Sequence, residues 1–273
     1  MASRKPKLGQ NFLTDHDARQ RIVDALGDIS GNTVLEIGPG RGALTDLLAP
    51  RVRHLIAVEL DRTLAPRLTE KWAHASHVRI LHSDILTLNL SSIEKPDVKE
   101  KLIVVGNLPY YITSDILLHL FSHAPAISRA IVMVQDEVAD RLAAQPGVRD
   151  YGVLSTTAQM HARIQKMFVL PPEAFTPPPN VDSAVVRLDM HPRFEELNVE
   201  RTAFLRFLQM CFQQKRKTLV NNLKGAGFSD GVLPAMETAQ LDPAVRAEAV
   251  SLESMAQLYR ELRKHPSIAR LLQ

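Results

Sequence analysis

The chain predicts an α/β fold: a mostly parallel sheet wound by helices, followed by a small region of helices alone. Three observations carry this. Short runs rich in Val, Ile and Leu alternate with helical patterns through most of the sequence, the mark of right-handed crossovers between parallel strands. Residues suited to ligands stand directly after successive runs, at Gly38, Glu59, Asp84 and Asn107, and parallel sheets bind ligands beyond the carboxyl ends of their strands. Around residues 191–199 the composition shifts and strand patterns stop.

The elements follow in order. A basic start with Arg4, Lys5 and Lys7 leads to a polar tip, where Gln10 and Asn11 offer amide groups to a ligand just before Leu13. A helix is predicted over 17–26, with Ile22, Val23 and Leu26 on one face and Thr14 or Asp15 as its cap. Thr33–Ile37 reads as a strand and 43–48 as a helix, joined by Gly38-Pro39-Gly40-Arg41-Gly42. Glycines there let the backbone approach a ligand closely. Gly38, Gly40 and Ala43 also fit the G-x-G-x-x-A fingerprint of dinucleotide sites. Glu59, after the strand 54–58, can accept hydrogen bonds from ribose hydroxyls under either reading, so a nicotinamide cofactor is open at this point. The strand Val78–His82 ends on Ser83-Asp84, a carboxylate able to accept from an adenine amine or to cap the next turn.

The fourth strand, Leu102-Ile103-Val104-Val105, delivers Gly106-Asn107-Leu108-Pro109-Tyr110-Tyr111. Pro109 has no N–H and a fixed φ, so it ends the ladder and frees the Asn107 amide and the Leu108 carbonyl to point outward. Two acceptors beside the Tyr110 ring suit the exocyclic amine of a stacked nucleobase. By itself the same run is also ordinary turn chemistry. Helices over 113–121, 136–144 and 151–161 and strands over 130–134, 164–170 and 184–188 complete the α/β part. Between the last two strands, the loop 171–183 is stiffened by prolines and carries Phe175, a ring able to cover the second face of a base or to pack in the core. Helices over 201–212, 232–239 and 252–262 then form an appendage, whose Lys215-Arg216-Lys217 edge could track a phosphate backbone.

Composition narrows the class. At 273 residues, 45% hydrophobic and 23% charged, the chain is an ordinary globular protein with room for one large domain and one small one. The net charge is only +3, but the bases are clustered, and a local basic face is what meets a polyanion. Cys211 is the single cysteine, which excludes an intrachain disulfide and fits a reducing cytoplasm. The ten histidines show no metal-ligand spacing, and no apolar run is long enough to cross a bilayer.

The runs Lys7-Leu8-Gly9-Gln10-Asn11-Phe12-Leu13, Val34-Leu35-Glu36-Ile37-Gly38-Pro39-Gly40-Arg41-Gly42, Glu59-Leu60-Asp61, Asp84, Asn107-Leu108-Pro109-Tyr110 and the loop from Phe175 to Ser183 occur in one order. That order resembles the rRNA adenine N6 dimethyltransferases. The tail Cys211-Phe212-Gln213-Gln214-Lys215-Arg216-Lys217 looks more like the small-subunit branch than the antibiotic-resistance relatives acting on 23S rRNA. The resemblance implies a Rossmann-like domain over 1–192, a mostly parallel seven-stranded sheet with one antiparallel strand, and an all-α RNA- or ribosome-binding domain over 193–273. It implies S-adenosylmethionine as cofactor, with Gln10, Asn11 and Leu13 near its methionine end, Gly38 and Gly40 below it, Glu59 on the ribose, Asp84 and Ile85 at its adenine, and Asn107 also among the residues beside it. It gives Asn107, Leu108, Pro109 and Tyr110 to the target adenine, Phe175 to its other face, and Lys215, Arg216 and Lys217 to RNA. The implied substrate is a pair of adjacent adenosines in the 3′-terminal hairpin of 16S rRNA within a partly assembled small subunit, and the enzyme a cytoplasmic monomer away from membranes. Action on 23S rRNA, or a transcription role as in mitochondrial relatives, are the alternatives. Asp136 departs from the pattern, standing where many relatives carry lysine.

Overall fold

The structure, a computed structural model, describes residues 11–93, 95, 99–228 and 231–264. Gln10 and the basic residues Arg4, Lys5 and Lys7 lie outside the described residues. Two compact units are present. One takes the chain up to Ala139 together with Arg163–Met190; the other takes Asp140–Ala162 and the chain from His191 onward.

The first unit carries β1 (Phe12–Leu13), α1 (His16–Asp24), β2 (Thr33–Ile37), α2 (Thr45–Leu48), β3 (His54–Glu59), α3 (Leu64–Lys71), β4 (Val78–His82), β5 (Leu102–Asn107), α4 (Thr113–Ser122), β6 (Ile127–Gln135), β7 (Ala162–Leu170), β8 (Phe175–Thr176) and β9 (Ser183–Met190). Seven strands form one sheet in the order β4-β3-β2-β5-β6-β9-β7. The pairs β2 with β3, β3 with β4, β2 with β5 and β5 with β6 are parallel, and β9 runs antiparallel to β6. This is the mostly parallel sheet with one antiparallel strand that the resemblance implies. Every residue of β2 is buried, as expected for a strand covered on both faces.

Successive strands step outward from β2 to β4, and then the chain returns to place β5 on the other side of β2. Such a reversal opens a crevice at the strand ends. The two strands meet closely: Ile37 pairs with Gly106, and a Cβ at Gly106 would lie 2.6 Å from the Ile37 carbonyl oxygen. Glycine is required there by contact. α1 is started by Asp15, whose carboxylate accepts from the Ala18 N–H at 2.7 Å. α4 buries Ile116, Leu117, Leu120 and Phe121.

Several boundaries differ from the sequence reading. β5 runs on to Asn107, making that residue the last of the strand. The helix expected over 43–48 contracts to α2, after a turn in which Gly40 and Gly42 take φ of +60° and +87°. Within the proline-rich loop, β8 pairs with β1 as a separate two-stranded ribbon.

The first of the two stretches that make up the first unit stops within α5 (Asp136–Ala143). The second unit contains α6 (Val153–His161), α7 (Arg201–Cys211), α8 (Leu219–Gly225), α9 (Val232–Thr238) and α10 (Leu252–Arg263). Its core gathers Phe204, Phe207 and Tyr259, with the Phe204 and Tyr259 rings edge-on at 5.2 Å, and Cys211 is buried among them. A single division at residue 192 is too coarse. Met160 of α6 joins this core, and the Tyr151 ring meets Phe212 edge-on at 5.9 Å, so 140–162 packs with the helices that follow. α8 was not legible as a helix, because its seven residues end on Gly225.

Candidate active site

The ends of β2, β3, β4 and β5 border one cavity of about 360 Å³, within the size range of small-molecule sites. Asn11, Leu13, Gly38, Gly40, Glu59, Asp84, Ile85, Asn107, Leu108, Pro109 and Tyr110 all line it.

The glycine turn leaves β2 with the Gly38 N–H bonded to the Val58 carbonyl (2.9 Å). Gly40 is fixed by two features. Its N–H donates to Glu59 Oε2 at 2.8 Å, and a Cβ on it would lie 3.0 Å from the Phe12 ring. Glu59, 3% exposed, accepts a second backbone N–H from Asp61 on Oε1, also at 2.8 Å. The carboxylate is therefore rigidly aimed while each oxygen keeps lone-pair capacity. Asp61 turns away from this role. Its carboxylate accepts from Thr63 and from the Leu64 N–H at the start of α3, and those Thr63 hydrogen bonds hold its pKa below the usual range.

Asp84 takes the capping role and keeps a place on the cavity. Oδ1 caps the following turn by accepting the Leu86 N–H at 2.9 Å, and the residue remains on the cavity wall. Beside it Ile85 is buried.

At the end of β5, Asn107 is half tied down. Its Nδ2 donates to the Asn11 carbonyl at 2.8 Å, so the amide is not wholly free, in contrast to the expectation from turn chemistry. The remaining Oδ1 is an acceptor. The Leu108 N–H bonds the Met133 carbonyl at 3.1 Å, while no described residue donates to the Leu108 carbonyl. Pro109 turns the chain, its own carbonyl accepting from Ile112 N–H and Thr113 Oγ1. The Tyr110 hydroxyl lies 2.6 Å from Ser183 Oγ, which fixes the ring. Burial raises the Tyr110 pKa against the opposing effect of that hydrogen bond.

Phe175 does not take the place expected of it at the site. It is 2% exposed, belongs to the core cluster and is absent from the cavity wall. The β1–β8 ribbon pairs Phe175 with Leu13 and sets which way the ring turns, which sequence proximity to the loop could not show.

Glu36 is a site residue that sequence reasoning missed. It is 1% exposed on the cavity wall and accepts from Thr45 Oγ1 at 2.7 Å. Burial, with Asp46 and Glu59 nearby, raises its pKa to about 8 against that hydrogen bond. The available signal was an acid inside the otherwise apolar run Val34-Leu35-Glu36-Ile37. Asp136 pairs with Lys166 at 2.7 Å.

In the helical unit, Lys215, Arg216 and Lys217 are exposed on the loop between α7 and α8. The buried Asn222 shapes that loop, accepting the Gln214 N–H at 2.9 Å and donating to the Gln214 carbonyl at 3.2 Å. Lys215 Nζ bonds the Arg149 carbonyl at 3.3 Å. Among the described residues no cluster of His, Cys, Asp or Glu could hold a metal ion, and no helix is long and apolar enough to cross a membrane.

A family model described as ribosomal RNA adenine dimethylase matches residues 1–264. The chain is 56% identical over 259 residues to a ribosomal RNA small subunit methyltransferase A of Acidobacterium capsulatum, covering 94% of this chain and 91% of that protein. A protein of the same name from Koribacter versatilis is 52% identical over 272 residues, with 96% and 95% covered. Among solved structures, a dimethyladenosine transferase from Plasmodium falciparum aligns with a TM-score of 0.78 at 23% identity, covering 93% of this chain and 98% of that one. The 23S rRNA methyltransferase ErmE aligns at 0.69 and 27% identity, with 92% and 99% covered.

Proposed function

The chain belongs to the ribosomal RNA adenine dimethylase family, and from that premise we propose that it transfers methyl groups from S-adenosylmethionine to N6 of two adjacent adenosines near the 3′ end of small-subunit rRNA. The observation that carries this reading is the convergence of Gly38, Glu59, Asp84, Asn107 and Leu108 on one cavity. A nicotinamide dehydrogenase would use the glycine turn and leave the Asn107 to Tyr110 run without a task.

The wall fits the cofactor. Glu59 and Asp84 give it an acidic character suited to a ligand with a sulfonium and an ammonium group, while Glu36, its pKa raised to about 8, stays protonated near neutral pH. Glu59 would hold the ribose, Asp84 and Ile85 the adenine, and Asn11, Leu13, Gly38 and Gly40 the remainder. S-adenosylmethionine, when bound, supplies an electrophilic methyl group on sulfur.

The residues of the chain do the rest by alignment. Asn107 Oδ1 and the Leu108 carbonyl accept the two N–H bonds of the adenine amine, drawing its nitrogen toward a pyramidal form with a usable lone pair. Tyr110, held by Ser183, stacks on the base. The methylated nitrogen is acidic and loses its proton to water. One N–H then remains for the second transfer, so one acceptor releases while the base stays stacked. The Lys215 to Lys217 loop of the helical unit meets the phosphate backbone, and assembly-stage small subunits, acted on by a cytoplasmic monomer, are the partner this reading requires.

Transfer of labelled methyl groups to immature small subunits, with naked 16S and 23S RNA in parallel, tests the reading. Label should appear on adjacent adenosines of the small-subunit RNA. Asn107→Ala should lower the rate by about 10²- to 10³-fold, the usual loss for one preorganised polar contact, and leave cofactor affinity largely intact. Equal loss of both in a titration would refute the assignment of Asn107.

A further inference from the structure

Among the charged groups of the cavity, Arg41 stands apart. Among the described residues, two basic ones line the wall, Arg19 and Arg41. Arg19 is engaged, donating Nε and an Nη to the Leu13 carbonyl at 3.1 and 2.8 Å. Arg41 makes no ion pair among the described residues. Its guanidinium carbon stands 4.7 Å from the centroid of the Phe12 ring, a cation–π arrangement that holds the flat face and leaves the edge N–H groups free. Gly40 and Gly42, both at positive φ, fix the backbone on either side. Around this cation the wall is acidic, and Asp46 is already paired with Lys71 at 2.6 Å.

The proposed cofactor poses a problem for such a wall, because its amino-acid tail ends in a carboxylate. The buried Glu59 carboxylate repels it, and an anion drawn out of water needs a cation. We infer that Arg41, steadied on Phe12, is the counter-ion of the cofactor's α-carboxylate, taking both oxygens on its guanidinium fork. Planar, bidentate pairing of this kind is what arginine provides and lysine does not. The inference rests on the methyl-transfer reading and deepens it by naming the binding residue for the tail. A phosphate oxygen of bound RNA has the same chemistry, so the test separates the two sources.

Calorimetric titration of the full chain with S-adenosylmethionine and with its decarboxylated form, which keeps the ammonium and lacks the carboxylate, reads the contact directly. Arg41→Ala should weaken S-adenosylmethionine by about five- to tenfold, less than a fully buried charge-assisted bond because Arg41 is exposed. The decarboxylated form should bind parent and variant alike, which also reports that the variant is folded. Arg41→Lys should recover only part of the loss. Equal weakening of both ligands, or no weakening of either, overturns the assignment. Unchanged cofactor affinity with lower affinity for 16S RNA and a shallower salt dependence overturns it in favour of a phosphate contact. If the parent protein binds neither ligand, the cofactor reading itself fails.

Discussion

The α/β unit and the helical unit handle polar groups in opposite ways. Beside the cavity of the first, Glu36 and Glu59 are 1% and 3% exposed, and each is held by short bonds from Thr45, Gly40 or Asp61. The second buries Phe204, Phe207 and Tyr259, keeps Lys215, Arg216 and Lys217 in solvent and sinks the Asn222 amide to shape the loop that carries them. Burial strengthens a charge's reach toward a small ligand at the cost of desolvation. Charges meant for a long polyanion lose little by staying hydrated, since released counterions supply the affinity. The first unit therefore gives up stability near its site, while the second keeps an apolar core and leaves its charges outside.

The sharpest way to break this contrast is to empty the helical core. Phe204→Ala should cost about 3–5 kcal/mol of stability in that unit, seen as a lower urea midpoint, while S-adenosylmethionine affinity changes little. Parallel collapse of cofactor binding would show that the two units do not divide the work in this way.

A smaller effect follows from Glu36. Its folded pKa, raised by burial from 4.5 to about 8, means that the folded chain holds a proton the unfolded chain has lost between those values. The stabilising contribution is full below about pH 4.5 and is lost as pH rises through about 8. Glu36→Gln, permanently neutral, should flatten that decline and exceed the parent by about 1–3 kcal/mol near pH 9, after discounting for relaxation of the site. Thermal melts of both proteins between pH 5 and 9 decide it; parallel curves would count against the buried acid.

The smallest effect separates loop shape from loop charge. Asn222→Ala should cost about 1–2 kcal/mol by leaving the Gln214 backbone unpaired, and should weaken RNA binding without altering its salt slope. Replacing Lys215, Arg216 and Lys217 by alanine should instead reduce that slope, by roughly 0.7 for every phosphate of a single strand that is no longer neutralised. Identical slopes in the two variants would remove the basic loop from the interface.

Much of the α/β unit was legible because its signals are local. A buried parallel strand is an unbroken apolar run, and the residue after it is delivered to the carboxyl edge whatever its neighbours do, so Gly38, Glu59, Asp84 and Asn107 could be read one strand at a time. Turn chemistry at Pro109 and capping at Asp15 are equally local. Phe175 was not legible for the converse reason: the side a ring faces depends on its strand partner, Leu13, which the loop sequence does not name. The placing of 140–162 depended in the same way on which hydrophobic core captured Met160 and Tyr151.

By itself the sequence determined the order of the main-sheet strands and of most helices, the groups presented at each strand end and the basic run, because period, turn propensity and charge act within a few residues. Only the tertiary structure decided the rest. It tied Asn107 to Asn11, turned Phe175 inward, left Arg41 on Phe12 beside an acidic wall, and lifted the Glu36 pKa. Each of these depends on burial or on partners distant in sequence, and desolvation and pairing exist only once those partners have met.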